Sequence, residues 1–166
     1  SSINIDTNKI ILGGASSGAG IALWNGLQAE HNTGVIGVVA IETQSTYNLY
    51  KWESLFTDLS IDTIAQSSTE FQMLFSLFYG GEVPTQEQLS AVDFTNFIDS
   101  TDPDLYLFNT AGNTFLKADG TVDLNVLYHS RVHTDTLRGK AIAEGLENSG
   151  AFQETPDAFV LRILGQ

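Results

Sequence analysis

Residues 10–24 read IILGGASSGAGIALW. An apolar run leads into a knot of small residues, and an amphipathic run leads out of it. Two β-branched residues and a leucine predict a short buried strand over Lys9–Gly13. The small residues predict a tight turn. From Ser17 to about His31 the sequence predicts a helix, with Ile21, Trp24, Leu27 and Gln28 as its largely apolar stripe. Gly34 breaks that pattern, and Val35–Ile41 reads as a second buried strand. Two nearly continuous apolar strands with a helix between them are the pattern of an α/β fold, a parallel sheet with helices on both faces.

The rest of the chain extends the pattern. Helical stretches are expected over Leu49–Phe56 and Glu70–Phe78, the second ended by Gly80-Gly81, and Pro84 opens a short one through Leu89. Leu105–Phe108 reads as a third strand, Asn109 to about Tyr128 as a polar loop, and Ser130–Asn148 as a long helix stopped by Gly150. Pro156 starts a last helix through Leu164. There is no internal repeat. At 166 residues and 42% hydrophobic content, the chain is long enough for one domain with a real core.

Seven Lys and Arg against 20 Asp and Glu leave a formal charge of −13. That balance argues against nucleic acid or an anionic membrane as a partner, since both call for positive charge. It fits a salty or extracellular setting, and a secreted or periplasmic location is favoured. The chain has no cysteine, which excludes disulfides, thiolate nucleophiles and zinc–thiolate sites. No apolar run approaches the length of a membrane span.

Strand, small-residue turn and helix together admit more than one chemistry. Gly14-Ala15-Ser16-Ser17-Gly18 fits G-x-S-x-G, a nucleophile elbow. Such a turn holds the serine in a strained conformation, and the flanking glycines make room where strand and helix nearly collide. Ser16 then stands at the tip of the sheet, and the Ser17 amide, at a helix N-terminus, suits an oxyanion. Alternatively Gly14, Gly18 and Gly20 form the glycine-rich turn of a dinucleotide fold, with Glu42 after the second strand as ribose reader. A glycine turn that merely lets a helix pack close to a strand is the third reading.

The longer context carries a family resemblance. IDTNKIILGGASSGAGIALWNGL (5–27) resembles the elbow region of α/β-hydrolases of the esterase/lipase type. VIGVVAIETQSTYNLYKWESLF (35–56), DPDLYLFNTAGNT (102–114) and LYHSRVHTDTLRGKAIAEGLENSG (127–150) resemble the following strands and helix in order, so the likeness covers nearly the whole chain. It implies a carboxylic ester hydrolase working through an acyl-serine intermediate, with Ser16 as nucleophile, Ser17 and Gly14 as oxyanion and substrate-binding residues, a small ester as substrate and no cofactor. In that family the elbow follows several strands, and the catalytic histidine follows one more strand near the C-terminus. Here the serine is residue 16, and SGAFQETPDAFVLRIL (149–164) has no histidine. The expectation is therefore one α/β-hydrolase-like domain or domain fragment over 1–166, incomplete, with its sheet completed by a second chain or a missing N-terminal segment.

A serine hydrolase needs a base and a group that orients it. The histidines are His31, His129 and His133. His31 ends the first helix and points away. Ser16, then Asp119 or Asp123, then His129 or His133, satisfies the chain order of serine, acid, histidine; Ser16, Asp119 and His129 are the candidate triad. The position straight after the third strand holds Asn109 and Thr110 and no carboxylate. His129 and His133 have the spacing of a helical metal pair but lack an obvious third ligand, and residues 118–125 fail as a calcium loop, since Phe115, Lys117 and Val126 fall on ligand positions; no metal is expected. Two rivals to the esterase stand. One is a non-catalytic α/β-hydrolase relative with a binding or assembly role. The other is an NAD(P)-binding protein similar to the short-chain dehydrogenases, on the glycines and Asn109-Thr110-Ala111-Gly112. The Tyr-x-x-x-Lys pair that the latter family places after that segment is absent: Tyr128 is followed four positions on by Val132.

Overall fold

The computed structural model describes residues 5–81 and 83–166. Four strands form one sheet in the order β1-β2-β3-β4, with every pairing parallel: β1 Ile10–Ala15, β2 Val35–Ile41, β3 Asp104–Phe108 and β4 Asn148–Gly150. The expected α/β class is what the structure shows. Helices α1 (Ser17–Gly26) and α6 (Arg131–Ala143) cover one face, where Ala19, Leu23, Leu137 and Ala141 pack with Val38, Ala40, Leu105 and Leu107 in one core. Helix α7 (Pro156–Leu164) covers the other. A side chain grown on Gly37 would strike Ile163, and Tyr106 packs on Phe159 at 5.7 Å. Gly37 and Val38 are neighbours in one strand, so they point to opposite faces and the two layers lie on opposite sides.

Between β2 and β3 the chain makes a large excursion. It holds a 3-10 helix at Leu49–Ser54, α2 (Ile61–Ser67), α3 (Thr69–Tyr79), α4 (Gln86–Ala91) and a 3-10 turn at Phe94–Phe97. Local chemistry sets these boundaries. The Ser68 hydroxyl accepts from Phe71 N to start α3, and Gly80 ends it in the left-handed conformation. Thr85 and Gln88 close a capping box on α4. The excursion has its own apolar cluster, with Trp52, Ile61, Phe71 and Tyr79 at its centre and Leu127 joining from α5 (Leu124–His129).

Three expectations are corrected. A fourth strand, Asn148–Gly150, stands where a helix was expected to end. A short helix, α5, interrupts the expected polar loop because the Asp123 carboxylate accepts from Val126 N and caps it. Helix α1 stops at Gly26; of its expected stripe Leu27 is buried and Trp24 packs on the core, but Ile21 is 57% exposed, and Ala19, Ala22, Leu23 and Gly26 make up the rest of the buried face. Small residues share that face because α1 lies very close to the sheet: a Cβ on Gly26 would sit 2.5 Å from Val38 Cγ2. No helix among the described residues is long and apolar enough to cross a membrane.

One buried histidine gives the fold a pH dependence. His133 lies 4.9 Å from the Trp52 ring and 5.3 Å from Phe56, with no solvent exposure. Its Nε2 donates to Leu127 O, so Nδ1 accepts from the Ser45 hydroxyl. Burial pushes its pKa down from 6.5 to about 4. The unfolded chain therefore takes up this proton near pH 6.5, and the folded chain only near 4. The neutral ring's contribution is fully present above 6.5 and is lost as pH falls to 4. Wild type is expected to lose about 2 kcal/mol more than His133→Gln between pH 7 and pH 4.5. Urea unfolding of both proteins at the two pH values measures it, and parallel slopes would refute it.

Candidate functional site

The turn after β1 is strained at one residue. Ser16 has φ 53° and ψ −124°, a region that non-glycine residues avoid at a cost of about 1–3 kcal/mol. Its amide donates to Ile41 O at 2.9 Å, which locks the turn against the end of β2. Gly14 makes the turn possible. A Cβ there would lie 2.3 Å from the Gly18 carbonyl. Gly18 itself faces open space, so only the first of the two motif glycines is demanded by packing. The cavity beside Ser16 is lined by other residues, and what the structure shows for Gly14 is steric. Gly20 is filled from the other side, by the Tyr47 ring, whose hydroxyl donates to Ser17 O at 2.6 Å. The spaces above Gly14 and Gly20 are thus taken by protein. Glu42 is likewise engaged, accepting from Thr110 N and Oγ1.

The strained turn aims Ser16 Oγ at His129 Nε2, 2.9 Å away, across 113 positions of sequence. His129 is the last residue of α5. One turn earlier on the same helix, Asn125 places Oδ1 3.1 Å from His129 Nδ1. An amide oxygen can only accept, so Nδ1 carries the proton and Nε2 is left as an acceptor for the serine hydroxyl. That is the tautomer a general base needs. The Ser17 amide is the first of α1 and has no hydrogen-bond partner among the described residues, as an oxyanion donor requires.

Of the candidate triad, the structure brings Ser16 and His129 together and leaves Asp119 outside. Asp119 accepts from Thr121 N and Oγ1, which fixes a tight turn and holds its carboxyl below the usual range. The place facing Nδ1 belongs to Asn125, a residue outside the carboxylates that a serine, acid, histidine order points to. Its signal was there: it precedes His129 by four, the spacing that puts two residues on one face of a helix. Asn109, straight after β3, is a buried strut. Its Oδ1 accepts from Thr43 N and its Nδ2 donates to Thr43 O and Ser130 O. His129 and His133 do not face one way, because Ser130 breaks the helix between them, and no group of three metal-ligating side chains occurs among the described residues.

Ser16 and Ser17 open onto a cavity of about 200 Å³ walled by Tyr47, Leu49, Trp52, Leu74 and Phe78 from the β2–β3 excursion and by Tyr128 from α5. The neutral third residue makes a prediction. A carboxylate at 125 would favour the protonated imidazole. For a hydrolase built on this pair, Asn125→Asp is therefore expected to move the acidic limb of the kcat/KM profile of a small ester upward by about one pH unit, while Asn125→Ala lowers kcat/KM about 10- to 100-fold. A pH–rate series on the three proteins reads both effects, and unchanged profiles would remove Asn125 from the site. No family model, curated protein or solved structure matches this chain.

Proposed function

We propose that the protein is a serine hydrolase of carboxylic esters, an α/β-hydrolase relative in which Asn125 stands where the orienting acid is expected. One observation carries this reading: Ser16 Oγ in a strained strand-to-helix turn, 2.9 Å from His129 Nε2, with His129 Nδ1 held by Asn125. As His129 takes the hydroxyl proton, Ser16 Oγ bonds to the ester carbonyl carbon. Charge on the carbonyl oxygen develops toward the Ser17 amide at the N-terminus of α1. The C–O bond to the alcohol breaks, and His129 returns its proton to the leaving oxygen. Water, deprotonated by the same nitrogen, then attacks the acyl-serine and frees the acid.

The same reading extends to the sheet. The outer side of β1 carries no strand partner among the described residues, and a groove lined by Ile10, Leu12, Ile21, Ala22 and Val35 runs beside it. Further strands, from a second chain or a preceding segment, would cover it.

The test is intact-mass analysis before and after a fluorophosphonate probe, with peptide mapping. One adduct per chain, on Ser16, is the expected result. An unlabelled Ser16 in folded protein would favour the non-catalytic relative and end the hydrolase reading.

A further inference from the structure

The cavity beside Ser16 has a composition that its place next to a nucleophile does not explain. Tyr47, Trp52, Phe78 and Tyr128 give it four aromatic walls, and Glu70 is the one charged residue lining it. None of the chain's seven Lys and Arg residues lines it, and no Lys or Arg pairs with Glu70 among the described residues. Helix α3 sets Glu70, Leu74 and Phe78 at successive four-residue steps, so a single helix face presents the carboxylate and two apolar contacts to the cavity. The walls are braced. Tyr47 stacks on Phe78 at 4.5 Å, Trp52 meets Tyr128 edge-on at 6.1 Å, and the Trp52 indole N–H is spent on Thr46 O. Tyr128 Oη is buried without a hydrogen-bond partner among the described residues; burial, and then the Glu70 carboxylate beside it, push the phenol up, so it stays neutral.

Glu70 is exposed and sits in the first turn of α3, so its carboxylate reaches the cavity from the solvent side. Aromatic rings and one carboxylate together suit an organic cation: the ring quadrupoles attract it and the carboxylate neutralises it. The charge of −13 draws cations toward the protein as a whole. We infer that this cavity selects esters bearing a small cationic head, an ammonium or trimethylammonium group held among the four rings with Glu70 as counter-charge. The volume of about 200 Å³ admits such a head. As a statement about substrates the inference rests on the hydrolase reading. As a statement about the cavity it does not.

Choline and 3,3-dimethylbutan-1-ol have one shape and differ in charge. Calorimetric titration of the full chain is expected to give choline about 10-fold the affinity of its carbon isostere, and Glu70→Gln to bring the ratio within about 2-fold. Acetylthiocholine should likewise exceed 3,3-dimethylbutyl thioacetate about 10-fold in kcat/KM if the head belongs to the leaving alcohol. If it belongs to the acyl side, trimethylglycine esters should exceed 3,3-dimethylbutanoates by a similar factor, each corrected for spontaneous hydrolysis. Equal binding of choline and its isostere overturns the inference, as does a choline preference that survives Glu70→Gln. The two readings fail separately. Ser16 labelling without choline preference leaves the hydrolase and removes the cation site; choline preference without labelling does the reverse.

Discussion

Ser16→Ala and His129→Ala are each expected to lower kcat/KM for a small activated ester by about 10⁴-fold, and the double variant to fall no further than the worse single one. The expectation follows from the 2.9 Å hydrogen bond between the two side chains. Without the nucleophile, the base has no hydroxyl to activate. Without the base, the hydroxyl keeps its proton and attacks poorly. Groups that act in one step do not contribute independent factors, so their losses should not multiply. Steady-state kinetics on the four proteins, with circular dichroism to confirm folding, decides the matter. Losses that multiplied, or a His129→Ala variant with full activity, would show that the two side chains meet without working together.

Gly14→Ala is expected to be the most damaging single-methyl change near the site, costing at least about 3 kcal/mol and possible only with movement of the turn. The added Cβ would lie 2.3 Å from both the carbonyl carbon and oxygen of Gly18 and 2.7 Å from Ala19 N, and backbone cannot rotate aside as a side chain can. Gly18→Ala is the matched control. Nothing lies within 4 Å of its added Cβ, and as a residue of α1 it should be neutral or gain up to about 1 kcal/mol. Denaturant unfolding of the two variants beside wild type gives the comparison. Equal costs would mean that the two glycines share one role.

That asymmetry marks how far the sequence could be read. The motif glycines look equivalent as letters, yet only the one under the helix start is sterically required. Strands β1, β2 and β3 were legible because buried parallel strands are continuous apolar runs. Strand β4 was not: Asn148-Ser149-Gly150 carries no apolar signal and is a strand because its backbone pairs with Leu105–Leu107, at a glycine with φ 101° that lets the Leu107 carbonyl come close. The buried face of α1 was legible in part: Leu27 and Trp24 meet the core, but Ile21 is exposed, and the close helix–sheet approach adds Ala19, Ala22 and Gly26 to the face. At the site, motif and chain order were enough for Ser16 and His129. Asn125 and Glu70 depend on which way short helices point, and that is settled by packing across the β2–β3 excursion.

The distance in sequence between Ser16 and His129 has a consequence for how the molecule matures. Their hydrogen bond closes a loop of 113 positions, whereas the caps of α3, α4 and α7 join residues three apart. Short-range caps form as soon as a few residues meet; a contact this long waits until the intervening chain has been placed. Formation of the Ser16–His129 contact therefore works as a clock for the last stage of assembly. During refolding it should return after helical content, and it counts only those chains in which the turn after β1 has met the end of α5.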